Sequence, residues 1–284
     1  MMALKTWNGI PIIDDSTPEH EYLGAKGPDG AMYCRGYEPR DYSKYPATMF
    51  APPSDIPLID PSEYDARIAE QEAQQSSLEH LYLSAPGGQP RFVNLDQNGN
   101  GYCWAYSVGH TVMLARLRDN QPAIRMNPHS VAAIIKGGRD EGGWCGLSAE
   151  FYSKNGCAPE GDGPGQWPLH SRNISLDTPA MRESMARFRI TEDWVDLSAQ
   201  PFDRNLTQRQ LATCLLSNMP CAVDFDWWGH SVCALRWVKV EDGSYGLLIL
   251  NSWKGWGRFG LAVLQGEKAQ PMGAVCTRVI RAAA

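Results

Sequence analysis

The chain has 284 residues, enough for one large core or two lobes, and its 43% hydrophobic and 20% charged content is ordinary for a globular protein. A net charge of -6 gives no basic surface for nucleic acid or anionic lipid, so neither is an expected partner. No apolar run reaches bilayer-spanning length, and the opening MMALKTWNGIPIIDDS lacks the apolar region of a secretory signal, so the expected location is the cytoplasm or a virion-like assembly.

The eight cysteines contain no Cys-x-x-Cys pair, which argues against a zinc or thioredoxin-type site and leaves free thiols as the expectation. Residues 1 to about 60 are rich in Pro, Gly, Tyr and Asp and read as loops and short extended pieces. Their aromatic content is too high for a disordered tail, so this arm is expected to pack on its own body or on an assembly partner. Asp60 caps a helix predicted to run to about Leu83, with sparse apolar positions at Tyr64, Ile68, Leu78 and Leu81. A break at APGGQP follows, and residues 91–95 (RFVNL) read as a short strand-like lead-in.

Asp96 to Leu117 is the stretch on which the rest depends. Gln97 precedes a short Asn-Gly-Asn-Gly loop, and Cys103 opens a segment from Trp104 to Leu117 too uniformly apolar for a surface helix. A thiol at a helix N-terminus lies in the field of unpaired backbone N–H groups, which favours the nucleophilic thiolate. Across the loop, the Gln97 amide can fold back to donate to a developing oxyanion, as can the Cys103 N–H. Against this, a buried Cys is usually a small hydrophobe.

A second helix is predicted from about Pro128, then a Gly-rich loop with Gly142-Gly143, then a third helix from about Leu147 to Asn155. Two glycines alone read as a flexible turn. LDTPAMRESMARFRI suggests a helix followed by a strand, and LTQRQLATCLLSNMP a helix with Thr207 as candidate cap and Leu211, Leu215 and Leu216 on one side. From Cys221 onward the chain is strand-rich with an Asp-Gly turn. His230 opens one strand; a lone His there is more often structural. Asn251-Ser252-Trp253 follows the next.

Together these motifs resemble the papain-like cysteine peptidases. Gln97 to Ser107 is similar to that family's Gln-x-x-x-Gly-x-Cys-Trp-Ala-Phe-Ser, Gly-His-Ser-Val to its His-Ala-Val, and Asn251-Ser252-Trp253 with Gly255-Trp256-Gly257 to its Asn-Ser-Trp-Gly ending. The chain order Cys103, His230, Asn251 and the long separations between the first and the other two also fit. The resemblance covers roughly residues 84–280. It implies an α+β, two-lobe papain-like fold: a helical lobe with Cys103, an antiparallel β-sheet or barrel lobe with His230 and Asn251, and an irregular N-terminal extension (residues 1–83) before the peptidase domain (84–284).

It further implies a cysteine endopeptidase that acts on polypeptides without metal or organic cofactor. Cys103 would be the nucleophile, His230 its proton partner, Asn251 the orienting group, and Gln97 an oxyanion donor. Gly142 and Gly143 would align the substrate backbone, and Trp253 would cover the Asn–His hydrogen bond. The family's disulfide positions are Asn100 and Asp140 here, so both halves are absent together. The short Pro220–His230 segment implies a pared-down β lobe, and Trp227-Trp228 a narrowed site. The N-terminal extension holds one helix where the family's propeptide is longer and helical. Alternatives stay open: an unsecreted bacterial or phage peptidase with a pro-segment, a structural or docking component of an assembly such as a phage virion, and acyl transfer in place of hydrolysis.

Overall fold

The computed structural model describes residues 4–22, 34–45, 57–190, 194–197 and 203–277; the loops expected over 24–33 and 46–55 lie outside them. The arm contributes β1 (Thr6–Trp7), β2 (Ile10–Ile13) and the single turn α1 (Glu19–Tyr22). Helices α2 (Tyr64–Gln74), α3 (Leu78–Tyr82), α4 (Cys103–Arg118), α5 (His129–Lys136), α6 (Cys145–Asn155) and α7 (Pro179–Ala186) follow. The C-terminal part holds β3 (Val195–Asp196), α8 (Arg204–Leu216), β4 (Cys221–Phe225), β5 (His230–Lys239), β6 (Tyr245–Leu250), β7 (Leu261–Gln265) and β8 (Gly273–Cys276).

All eight strands form one sheet in the order β1-β2-β7-β6-β5-β4-β8-β3. The architecture is the expected α+β one; of the sheet and barrel alternatives, the sheet is the one formed, and it does not close. Its pairs are antiparallel except β2 with β7, where Ile12 and Ile13 lie parallel to Val263 and Leu264.

Strands β4 to β8 are almost wholly buried on both faces, and their side chains alternate between two cores with the period of two that strand geometry dictates. Leu248, Leu250, Leu261 and Val263 join the core around α4; Leu247, Ile249, Ala262 and Leu264 join the core under α8 and α2. A bulge between Ala234 and Arg236 changes the phase of β5. Leu235 faces the α4 core and Trp237 the other, two residues apart on opposite faces, which an unbroken strand forbids.

Helix α4 is buried from Cys103 through Leu117, as its apolar density predicts. Gly109 admits the neighbouring chain: a Cβ there would stand 2.6 Å from Pro128 Cγ and 3.0 Å from the Tyr152 hydroxyl. The loops that a disulfide would have joined are tied by Gly101 N–H donating to Asp140 Oδ1 at 2.7 Å, and all eight cysteines are free.

Several local expectations are corrected. The helix over 61–83 is a 3₁₀ turn (Pro61–Glu63) and two α-helices, broken where Gln75 adopts φ 50° and Ser77 caps α3 by accepting from His80 N–H. Residues 91–95 form no strand; Phe92 and Leu95 are buried as side chains with no neighbouring strand to pair with. Residues 187–190 likewise form no strand. The cap of α8 is Asp203, which accepts from Asn205 and Leu206 N–H, while Thr207 is inside the helix and donates to Leu197 O at 2.9 Å.

Candidate active site

Cys103 is the first residue of α4, fully buried, with Tyr102 before it at φ -106°, ψ 14°. Against it lies the start of β5. The short segment before His230 is a tight hairpin: Phe225 pairs with His230, and Gly229, at φ 61°, closes the turn by donating to Asp226 O at 3.1 Å. The Ser231 amide comes close enough to the Cys103 sulfur to favour its thiolate. His230 Nε2 pairs with Asn251 Oδ1 at 2.8 Å, which leaves Nδ1 as the ring nitrogen without a hydrogen bond.

Asn251 follows β6 directly. Its Oδ1 also accepts Ser252 N–H at 2.8 Å, and its N–H donates to Gly260 O at 2.9 Å, so the residue is held through both side chain and backbone. The Trp253 ring lies 4.4 Å from the His230 ring at 31°. Trp228 closes against both rings at 4.9 and 5.6 Å. It is fully buried, so it packs behind the histidine.

Gln97 is brought to the same place by the 251–253 turn. Its N–H donates to Ser252 O at 3.0 Å, and Ser252 Oγ donates to its Oε1 at 2.7 Å, which fixes which end of the amide faces the cleft. Ser252 was missed in the sequence because a serine inside a motif carries no signal of what it orients. The Gln97 amide nitrogen and Trp253 Nε1 converge on one acceptor, the Cys34 carbonyl, at 2.9 and 3.2 Å.

That acceptor belongs to the arm, and nothing in the sequence points to it. Residues 34–38 run along the cleft. Gly143 N–H donates to Gly36 O and Glu38 N–H to Gly143 O, both at 2.8 Å, pairing Tyr37 parallel to Gly143. On the opposite wall Tyr37 N–H donates to Gly229 O at 3.0 Å. A Cβ on Gly142 would meet Gly36 O and Glu38 at 2.7 Å, and one on Gly143 would meet the Trp104 ring at 2.7 Å. Gly142 therefore makes room for the arm, and Gly143 for the Trp104 ring of α4.

Burial dominates the electrostatics at both Cys103 and His230. Burial pushes the Cys103 thiol up to about 12, against the lowering influence of the Ser231 and Gly36 amides. Burial also pulls His230 down to about 3, although the Asn251 bond favours its charged form. Burial thus disfavours the charged form of each group.

Beneath the cleft, Asp224 accepts from Cys145 N–H, Cys145 Sγ and Ser231 Oγ, tying α6 to the sheet; burial raises its carboxyl to about 6. Among the described residues, one group has metal-ligand spacing: Cys214, Cys221 and Cys276, with sulfurs within 4.8 Å of one another. It lies in the apolar core under α8, where burial raises Cys221 well above its ordinary range.

This is the papain-like α+β fold. The chain is similar to the crystal structure of xylellain, a cysteine protease from Xylella fastidiosa, with a TM-score of 0.56 and 17% identity over 87% of this chain and 96% of that one. It is also similar to a recombinant stem bromelain precursor (TM-score 0.55, 16% identity, 79% and 74% covered). A third match is the Amb a 11 cysteine protease of ragweed pollen in its proform (TM-score 0.52, 16% identity, 66% and 62% covered). No family model and no curated protein matches the sequence. Among the described residues, no helix is long and apolar enough to cross a membrane.

Proposed function

We propose that the chain is a papain-like cysteine endopeptidase whose cleft is occupied by its own arm. The observation that carries this reading is the convergence of Gln97 and Trp253 on a single carbonyl oxygen, that of Cys34, with His230 held by Asn251. Donors aimed at one carbonyl are what a developing oxyanion needs.

In the open cleft, Cys103 transfers its proton to His230, and the thiolate attacks the substrate carbonyl. The Gln97 amide and the Cys103 N–H take the oxyanion charge. His230 then protonates the leaving amine, with Asn251 fixing the ring without adding a negative charge. Water releases the thioester. Gly142 and Gly143 line the wall for the substrate backbone, Gly143 pairing with it as it does with Gly36 and Glu38.

The arm is an occupant and not a substrate. The group it brings to the sulfur is the Gly36 amide, a donor, while the carbonyl at Gln97 is that of Cys34, two residues away. The arm therefore meets the sulfur through a donor and serves as an inhibitory segment. Residues 6–13 and 34–45 pack on the chain's own body, which favours this role over docking to an external partner.

The test is to incubate the full chain, and a variant with a weakened arm, with an unfolded protein and to sequence the new N-termini. Fragments that depend on Cys103 and His230 are expected. No fragments from either form, with Cys103 accessible to alkylation, would refute the peptidase reading. Amine-capped products would assign acyl transfer.

A further inference from the structure

Beyond the residues that fill the cleft, one side chain anchors the arm. Arg40 Nη1 donates to Asp196 Oδ2 at 2.7 Å, and the two side chains are 4% and 0% exposed. The guanidinium carbon lies 4.5 Å from the Trp144 ring centre and 4.7 Å from that of Tyr42. Arg40 Nε donates to Tyr45 O at 3.0 Å, and the Tyr45 ring meets Trp144 edge-on at 5.7 Å.

These contacts divide by origin. Tyr42 and Tyr45 are arm residues and leave with it. Trp144 and Asp196 belong to the body: Trp144 follows Gly143 directly and caps α6, and Asp196 lies on β3 at the edge of the sheet. The fixed half is thus a carboxylate next to an indole face. A guanidinium is flat, donates in a fork and is weakly hydrated, so it satisfies both at once; an ammonium has no face to lay on the ring.

We propose that Asp196 and Trp144 form an arginine subsite of the cleft, shared by Arg40 of the arm and by arginine side chains of the polypeptides the enzyme takes. This rests on the peptidase reading and names its substrate class. In the arm the arginine lies three residues beyond Tyr37, which pairs with Gly143. An extended chain spans about 10 Å over that distance. A substrate arginine at similar reach displaces Arg40 as it binds, so arginine-bearing chains open the cleft more readily than others.

Two measurements test this. The first needs no turnover: a labelled peptide of residues 34–45 is titrated into the full chain carrying Cys103→Ser and Arg40→Ala. The peptide is expected to bind, its Arg40→Ala version to bind roughly 100-fold more weakly, and its Arg40→Lys version to fall between. Asp196→Asn in the chain should erase most of that difference, and Trp144→Leu, which removes only the ring face, part of it. Equal binding of the arginine and alanine peptides, no binding of either, or a difference indifferent to both chain variants would overturn the proposal.

The second uses the Arg40→Ala chain with peptides matched except for Arg or Gln a few residues from the cut bond. A kcat/KM at least tenfold higher for arginine, lost in Asp196→Asn, is expected. Equal cleavage of both would remove the subsite and leave the peptidase reading standing. No cleavage of either, with the arginine preference intact in the binding assay, would remove the peptidase reading and leave the socket.

Discussion

Gly36→Ala is expected to expel the arm from the cleft. A Cβ at Gly36 would stand 2.0 Å from Gly101 O, 2.3 Å from Gly101 C and 2.6 Å from Gly101 Cα, all backbone atoms of the loop that leads into α4. Ordinary contact begins at 3.4 Å, and backbone cannot rotate aside as a side chain can, so the arm itself must retreat. That displacement breaks the three backbone hydrogen bonds at Gly143 and Gly229, which are 2.8 to 3.0 Å long. At roughly 1 kcal/mol each the loss is about 3 kcal/mol, or on the order of 100-fold in the docking equilibrium. The assay is alkylation of Cys103 across a pH series, read by mass spectrometry. In the unmodified chain the thiol, held near 12, should react slowly at pH 7. In Gly36→Ala it should react fast well below the ordinary thiol value of about 8.5, and adding His230→Ala should return it to that value. Equal rates and equal pH profiles for the unmodified chain and Gly36→Ala would refute the claim that the arm sets the state of Cys103.

In the Gly36→Ala background, Gln97→Ala should lower kcat roughly 100- to 1000-fold with little change in KM, because the lost donor acts on the oxyanion; an unchanged kcat would remove Gln97 from that role. Asp224 has a raised carboxyl, near 6, so its contribution to stability is complete below the unfolded value of about 3.9 and is lost as pH rises through 6. Denaturant unfolding of the unmodified chain and Asp224→Asn should show their stability difference moving by about 3 kcal/mol in favour of the variant from pH 4 to pH 8; a flat difference would contradict the burial argument. Arg236, 1% exposed, donates to Glu79 and Glu72 at 2.6 Å each and pins α2 and α3 to β5. Arg236→Ala should cost roughly 3–5 kcal/mol in unfolding measurements, and a loss under about 1 kcal/mol would mean that the helices hold without it.

Part of the molecule was legible because it depends on neighbours in the chain. The apolar density of residues 104–117 required a buried helix, and runs such as YGLLIL required strands. The Cys103, His230 and Asn251 motifs named a candidate site, and the structure places the last two in contact. Local chemistry also misled where two capping residues competed: Asp203 and Thr207 are four apart, and only the carboxylate reaches the free N–H groups of α8.

Sequence alone determined the buried helix after Cys103, the strand-rich part after Cys221, the order of the candidate site residues, and the absence of the disulfide between positions 100 and 140. Tertiary structure alone decided that Cys34 offers its carbonyl to Gln97, that Gly36 lies over Cys103, and that Arg40 reaches Asp196, 156 residues away. Periodicity and propensity act over a few residues, whereas these contacts depend on two surfaces matching after each has formed. The charge state of Cys103 belongs to the second kind. The helix terminus that favours a thiolate is local, but the burial that opposes it is set by segments far apart in the chain that the fold brings together, Gly36 and Ser231 among them.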